Sequence, residues 1–175
     1  MIFEAISAIA DDLNAFFNNK YKTTEDLVVV SGIINNDGTV AIQGGNRIVI
    51  TLINIEKESN VAGIGYSPAV TTDLSVNTDV LILFSAYFAN NNYQESLRYI
   101  SLVIDYFRSK SVFNIENTPK LDSSINKLVL EMVNLSVEQL NSVWSTLGAR
   151  YMPSVVYKMT ISAAGDNTIK RYPSL

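Results

Sequence analysis

Asp79, Asp105, Asp122 and Glu131, with the adjacent Asp11 and Asp12, are the carboxylates in this chain of 175 residues that could be asked to move a proton. Acid–base work by carboxyl groups needs two whose surroundings push their pKa values apart, and a carboxylate hydrolase needs them on either side of one bond. The sequence shows no such pairing. The four single carboxylates fall at element ends and on polar faces, while Asp11 and Asp12 lie off the apolar stripe of their segment, as a solvated pair does. Gly44-Gly45-Asn46 and Gly63-Ile64-Gly65 lack the lysine–threonine step and the helix start of a phosphate-cradling loop. Asn35-Asn36-Asp37-Gly38-Thr39 opens like a calcium loop but has no later set of acidic ligands. Each reads as a turn. Cysteine and histidine are both absent, which removes disulfides, thiolate nucleophiles, imidazole bases and the usual zinc ligands. The expectation is a protein that is not an enzyme and has no catalytic, cofactor-binding or metal-binding residues. A carboxylate-dependent hydrolase is the one enzymatic alternative.

The elements that position these residues follow from periodicity. Ile2, Ile6, Ile9, Leu13 and Phe16 recur at helical spacing, with Phe3 and Phe17 widening the stripe. LVVVSGI at 27–33 and RIVITLINIEKE at 47–58 are β-branched runs that bracket Asp37-Gly38 and Gly44-Gly45, so they read as a hairpin with a small strand at 39–42. No period survives over 59–78, a length uncommon for a loop without function. DVLILFSAYF at 79–88 is apolar on both faces and reads as a central strand. A second helix runs from the capping Asn92 to about Ser109, Pro119 stops any helix in the connection that follows, and KLVLEMVN at 127–134 returns as a strand.

In LSVEQLNSVWSTLG at 135–148, Ser136 and Gln139 form a capping box, Leu135 and Leu140 a hydrophobic staple, and Gly148 a left-handed exit. Leu140, Val143, Trp144 and Leu147 make its apolar stripe. The last strand, 154–162, alternates Val155, Tyr157, Met159 and Ile161 against Val156, Lys158, Thr160 and Ser162, and Pro153 starts it or marks it as an edge.

Composition sets the class. With 47% hydrophobic residues the chain has the core of one α/β domain. Only 17% of residues are charged, against about 25% in ordinary soluble domains, which leaves a surface suited to contact. The net charge is −4, and no lysine or arginine run is present, so nucleic acid is not an expected partner. The longest apolar run, 80–89, is half a membrane span, and the first twelve residues carry Glu4 in place of a basic leader, so membrane insertion is not expected and assembly in the cytoplasm is.

IVITLINIEKES, LILFSAYFANNNYQESLRYISLVIDYF, SVFNIENTPKL and LVLEMVNLSVEQLNSVWSTLGARYMPSVVYKM occur in order along the chain. They resemble blocks of the cap, or tail-terminator, family of phage-tail-like contractile injection systems, typified by the antifeeding prophage and the Photorhabdus virulence cassettes. The run from Asn134 to Lys158 is the most specific part. The resemblance implies a mixed, mainly antiparallel sheet flanked by helices over 1–163, followed by a flexible tail at 164–175. It implies a six-membered ring that ends the inner tube and fastens the last sheath layer, in a particle released from the cell or anchored to a membrane. The partners would be other copies of the chain, the inner-tube protein and the sheath protein; a non-enzymatic adaptor of the same particle is the alternative. On that reading Ile64, Tyr66 and Pro68 contact the tube or the next subunit. Trp144 and Tyr151 lie in the core or at a subunit interface. Ile169, Tyr172 and Leu175 add to a sheath subunit as a strand. Some relatives carry a further C-terminal region, and the 59–78 loop matches no pattern of the family.

Overall fold

The computed structural model describes residues 1–57, 76–88 and 92–163. The N-terminal stripe winds into α1 (Ile2–Tyr21), burying Ile6, Ile9, Leu13 and Phe17 together with the small Ala5, Ala8 and Ala10, which let the helix axis approach the sheet. It ends at Lys22, whose φ of 51° is left-handed and whose N–H bonds back to Asn18 O. The expected helix stopped four residues earlier, at Phe17; the added turn carries Tyr21, stacked on Phe17 and Tyr99.

Six strands follow: β1 (Val28–Val30), β2 (Arg47–Lys57), β3 (Val76–Tyr87), β4 (Val112–Phe113), β5 (Ile125–Val133) and β6 (Ser154–Ala163). They form one sheet in the order β1-β2-β3-β6-β5-β4, with β1 parallel to β2 and every other pair antiparallel. Two helices complete the fold, α2 (Tyr93–Ser109) between β3 and β4, and α3 (Val137–Thr146) between β5 and β6. This is the expected α+β domain with a mixed, mainly antiparallel sheet. Among the described residues, no helix is long and apolar enough to cross a membrane.

The period of two in the strands sorts their side chains into two apolar layers. Ile48, Ile50, Val80, Ile82, Phe84, Leu128, Tyr157, Met159 and Ile161 point to one face and pack against α1 and α2. Val49, Leu83 and Val156 point to the other and pack under Trp144 of α3 and under Ile33 and Ile42. β3 lies between β2 and β6 with both faces buried over Leu83–Ala86, as its two-sided apolar run requires.

Three expectations are corrected. The 27–33 and 47–58 runs do not form a hairpin: Val28, Val29 and Val30 pair with Ile48, Val49 and Ile50 in parallel. The Asp37-Gly38 step is a turn, but of a smaller excursion closed by the Ile34–Val40 bridge and by Asn35 N–H to Thr39 O at 2.8 Å. Burial of Ile33 and Ile42 on the second face draws this connection back across the sheet before β2 begins, which makes β1 and β2 parallel. Next, β6 is no edge strand; it is paired on both sides, and Pro153 marks its start, its carbonyl accepting from Ala86 N–H at 2.9 Å. Finally, Val76–Thr78 belong to β3 and not to the aperiodic loop, and the connection before β5 contains the short edge strand β4.

Candidate functional site

α3 is set by local chemistry. Ser136 Oγ accepts from Gln139 N–H at 3.2 Å while Gln139 Oε1 accepts from Ser136 N–H at 2.8 Å, the reciprocal capping box. At the other end Gly148 takes φ 65°, and Gly148 and Ala149 donate back to Ser145 O and Trp144 O. The left-handed exit turns the chain along the sheet end to Pro153.

Trp144 is 4% exposed and Tyr151 57% exposed, their rings edge to face with centroids 5.7 Å apart. The indole therefore belongs to the second apolar layer, and the tyrosine carries that layer out to the surface. Beneath them Ser85 and Ser154 face each other in the β3–β6 register. Among the described residues, neither serine hydroxyl nor Trp144 Nε1 has a hydrogen-bond partner.

Beside Tyr151 lies a groove of about 680 Å³ at the end of the sheet, floored by Ala86 and Pro153. Val40, Tyr87, Phe88, Tyr93 and Met152 give it apolar walls, and among the described residues Arg150 is the only charged side chain that lines it. Among the described residues, Arg150 has no ion pair. Residues far apart in sequence meet here: Ile33, Ile34 and Val40, then Phe88 and Asn92, then 148–153. The periodicity of the elements says nothing about where their ends converge; the one signal in the chain is an aromatic residue at three of those ends, Tyr87, Tyr93 and Tyr151.

The carboxylates are tied to neighbours. Asp79, 7% exposed, accepts from Thr160 Oγ1 at 2.6 Å and lies 3.7 Å from Lys158 Nζ, while Glu131 faces Lys158 in the strand register. Asp105 pairs with Arg108 at 3.7 Å, and the Ser124 hydroxyl and N–H hold the Asp122 carboxyl below its usual pKa. Asp11 and Asp12 are not a solvated pair. Asp12 is half-buried, 2.7 Å from Lys110 Nζ and hydrogen-bonded by the Tyr106 hydroxyl, because α1 and α2 pack side by side on one face. Burial first, and the Asp12 carboxylate second, push the Tyr106 phenol well above its ordinary pKa. Asp11 lies 3.4 Å from Lys120 Nζ. Among the described residues, no three acidic side chains cluster as metal ligands would.

Ile64, Tyr66 and Pro68, and Ile169, Tyr172 and Leu175, lie outside the described residues. Trp144 and Tyr151 are brought together, and Tyr151 lines a groove that sequence reasoning did not anticipate.

Two solved structures share the fold. The sheath/tube terminator of PVC, an extracellular contractile injection system, in its extended state superposes with a TM-score of 0.59 at 14% identity, over 94% of this chain and 56% of the other. The tube-terminating cap of the anti-feeding prophage superposes with a TM-score of 0.52 at 13% identity, over 94% of this chain and 59% of the other. This chain thus spans less than two thirds of either relative, and at such identities the likeness is one of fold. No curated protein sequence matches it significantly. The sequence model of the Pvc16 N-terminal domain matches residues 5–174, nearly the whole chain, and the chain belongs to that family.

Proposed function

We propose that this chain is the terminating cap of a contractile injection system, a ring of six copies that ends the inner tube and fastens the last sheath layer. Its membership of the Pvc16 N-terminal domain family over residues 5–174 carries the reading. The fold shared with two tube terminators supports it. A closed ring is built from heterologous contacts, so each subunit presents two different complementary patches. One ring face matches a tube layer and the other does not, which stops growth. Shape and surface do this work, and no bond is made or broken. The ring assembles in the cytoplasm, and its particle is released or membrane-anchored.

On this reading residues 1–163 are the ring-forming domain and 164–175 a flexible arm. Ile64, Tyr66 and Pro68 contact the tube or the next subunit, and Ile169, Tyr172 and Leu175 add to a sheath subunit as a strand. The deciding measurement is mass in solution, alone and with the tube protein. A ring that binds tube ends is expected; a strict monomer at high concentration that leaves tube lengths unchanged overturns the reading. Replacing 60–74 by a short glycine–serine linker leaves β2 and β3 whole, and should give a folded chain that no longer caps; an unchanged tube-length distribution removes the loop from the contact. Truncation after Ala164 should spare the ring and abolish pull-down of the sheath protein, and retained binding puts the attachment elsewhere.

A further inference from the structure

Among the described residues the groove beside Tyr151 has apolar walls and one cation, so the segment that fits it carries an apolar side chain next to a carboxylate. The chain itself presents such a segment. Ile115 is 57% exposed and Glu116 follows it, also exposed. Among the described residues the Glu116 carboxylate has no ion pair and no hydrogen bond, as Arg150 has no ion pair.

This tip is rigid before it meets anything. Asn114 Oδ1 accepts from the N–H groups of Glu116 and Asn117, both at 3.1 Å. Asn117 Oδ1 accepts from Asn114 N–H at 3.0 Å, its Nδ2 donates to Val112 O at 2.9 Å, and Lys110 Nζ donates to Asn117 O at 2.9 Å. A segment ordered in advance loses little entropy on docking.

Among the described residues, the other exposed apolar–acid neighbours do not qualify: Glu4, beside the exposed Phe3, is already paired with the Met1 amino group. Met132 and Glu131 are consecutive in β5, so they point to opposite sides of the sheet and cannot enter one groove together. Glu56, beside the exposed Ile55, already accepts from Asn54 Nδ2 at 3.1 Å. Glu138, beside the exposed Val137, has its carboxyl drawn below the usual pKa, first by its own backbone N–H and then by Ser136.

Position makes the contact intermolecular. β4 runs from Val112, opposite Val129, to Phe113, opposite Leu128, and Leu128 is level with Ile161 of β6. The groove lies at Pro153, before the start of β6. Seven residues at about 3.3 Å each put the tip and the groove more than 20 Å apart along the strands, and β4 is the sheet edge farthest from β1. One chain cannot fill its own groove with its own tip. A second copy can, head to tail, and such a contact repeated by rotation closes a ring.

We propose that Ile115 of one copy seats between Val40, Tyr93 and Tyr151 of the next, with Glu116 on Arg150. This rests on the reading of the chain as a self-associating ring and gives that ring its contact. The test is a charge swap in the full chain. Arg150→Glu and Glu116→Arg change exposed side chains, and circular dichroism should show both variants folded. By sedimentation in low salt, each single reversal should weaken association at least about tenfold, and the double variant R150E/E116R should return to within a few-fold of the original. Ile115→Ser should weaken association and leave its salt dependence unchanged. Single variants that associate normally, or a double variant no stronger than the singles, overturn the proposed pairing while the ring stands. An original chain that never associates overturns the ring itself, and the pairing with it.

Discussion

Trp144→Ala tests whether the second apolar layer is part of the folded subunit's own stability. The indole is 4% exposed and packs in one cluster with Val49, Leu83, Val156, Ile33 and Ile42. Truncating a buried tryptophan to alanine costs about 3–5 kcal/mol, the transfer term plus the cavity left behind. With a urea slope of about 2 kcal/mol/M for a domain of this kind, the unfolding midpoint should fall by about 1.5–2.5 M. The readout is far-ultraviolet circular dichroism on dilute protein, because Trp144 is the only tryptophan and its fluorescence disappears with it. Trp144→Phe sharpens the reasoning. It keeps an aromatic ring in the layer and removes an indole N–H that has no partner among the described residues. Leaving a buried donor unpaired costs about 1–3 kcal/mol, so the smaller ring's loss of contact is partly offset and the midpoint should fall by less than half as much. A Trp144→Ala chain that unfolds at the original midpoint yet fails to assemble refutes the core assignment and puts the indole at the subunit boundary.

Two further outcomes follow from buried polar groups. Asn14 is 7% exposed, its Nδ2 donates to Val28 O at 2.9 Å and its Oδ1 accepts from Val28 N–H at 2.8 Å; Asn14→Leu strands both backbone groups and should cost about 2–4 kcal/mol, with amide exchange at Val28 faster than in the original chain. Tyr106 has its phenol pKa raised above the usual 10 by burial and by Asp12. Above pH 10 the unfolded chain loses this proton while the folded chain keeps it, so stability falls as pH rises, by up to about 1.4 kcal/mol per pH unit from this group. Tyr106→Phe should flatten the fall of the urea midpoint between about pH 10 and 11.5, and equal slopes in the two proteins exclude Tyr106 as its source.

What the sequence disclosed was whatever neighbours along the chain decide. The Ser136–Gln139 box, the Gly148 exit and the Asn92 cap depend on residues within one turn and are found where expected. The alternation of β6 and the two-sided apolar run of β3 are also local, and they place Met159 opposite Val156 and Phe84 opposite Leu83 across the sheet, as the period of two requires. Pairing partners are not local. Asp37-Gly38 announces a turn, but whether that turn joins β1 to β2 or closes a smaller excursion depends on Ile33 and Ile42 finding the second layer. Pro153 forbids a ladder donor at one position only, which fits a strand start or an edge alike; the pairing of β6 on both sides selects the start. Asp12 acquires Lys110 and Tyr106 only when two helices ninety residues apart lie side by side.

The same non-local geometry bears on how copies can meet. Parallel β1 leaves the outward N–H and C=O of Val28 at a sheet edge, a template for strand addition in most folds. Asn14 fills both, as a neighbouring strand would. Farther along the same side, the N–H of Ile55 is taken by Asn54 Oδ1 at 2.9 Å. Backbone pairing at the β1–β2 edge is therefore blocked at two positions, and a second chain gains little by laying a strand there. At the opposite edge β4 covers Leu128 and Val129, and Ser111 O takes the N–H of Leu130. With strand pairing hindered at these positions, the proposed contact between copies rests on side chains of a rigid tip and of a groove at the strand ends. Such contacts are specific in angle, as a ring of fixed size demands, whereas an open edge accepts another strand at any copy number.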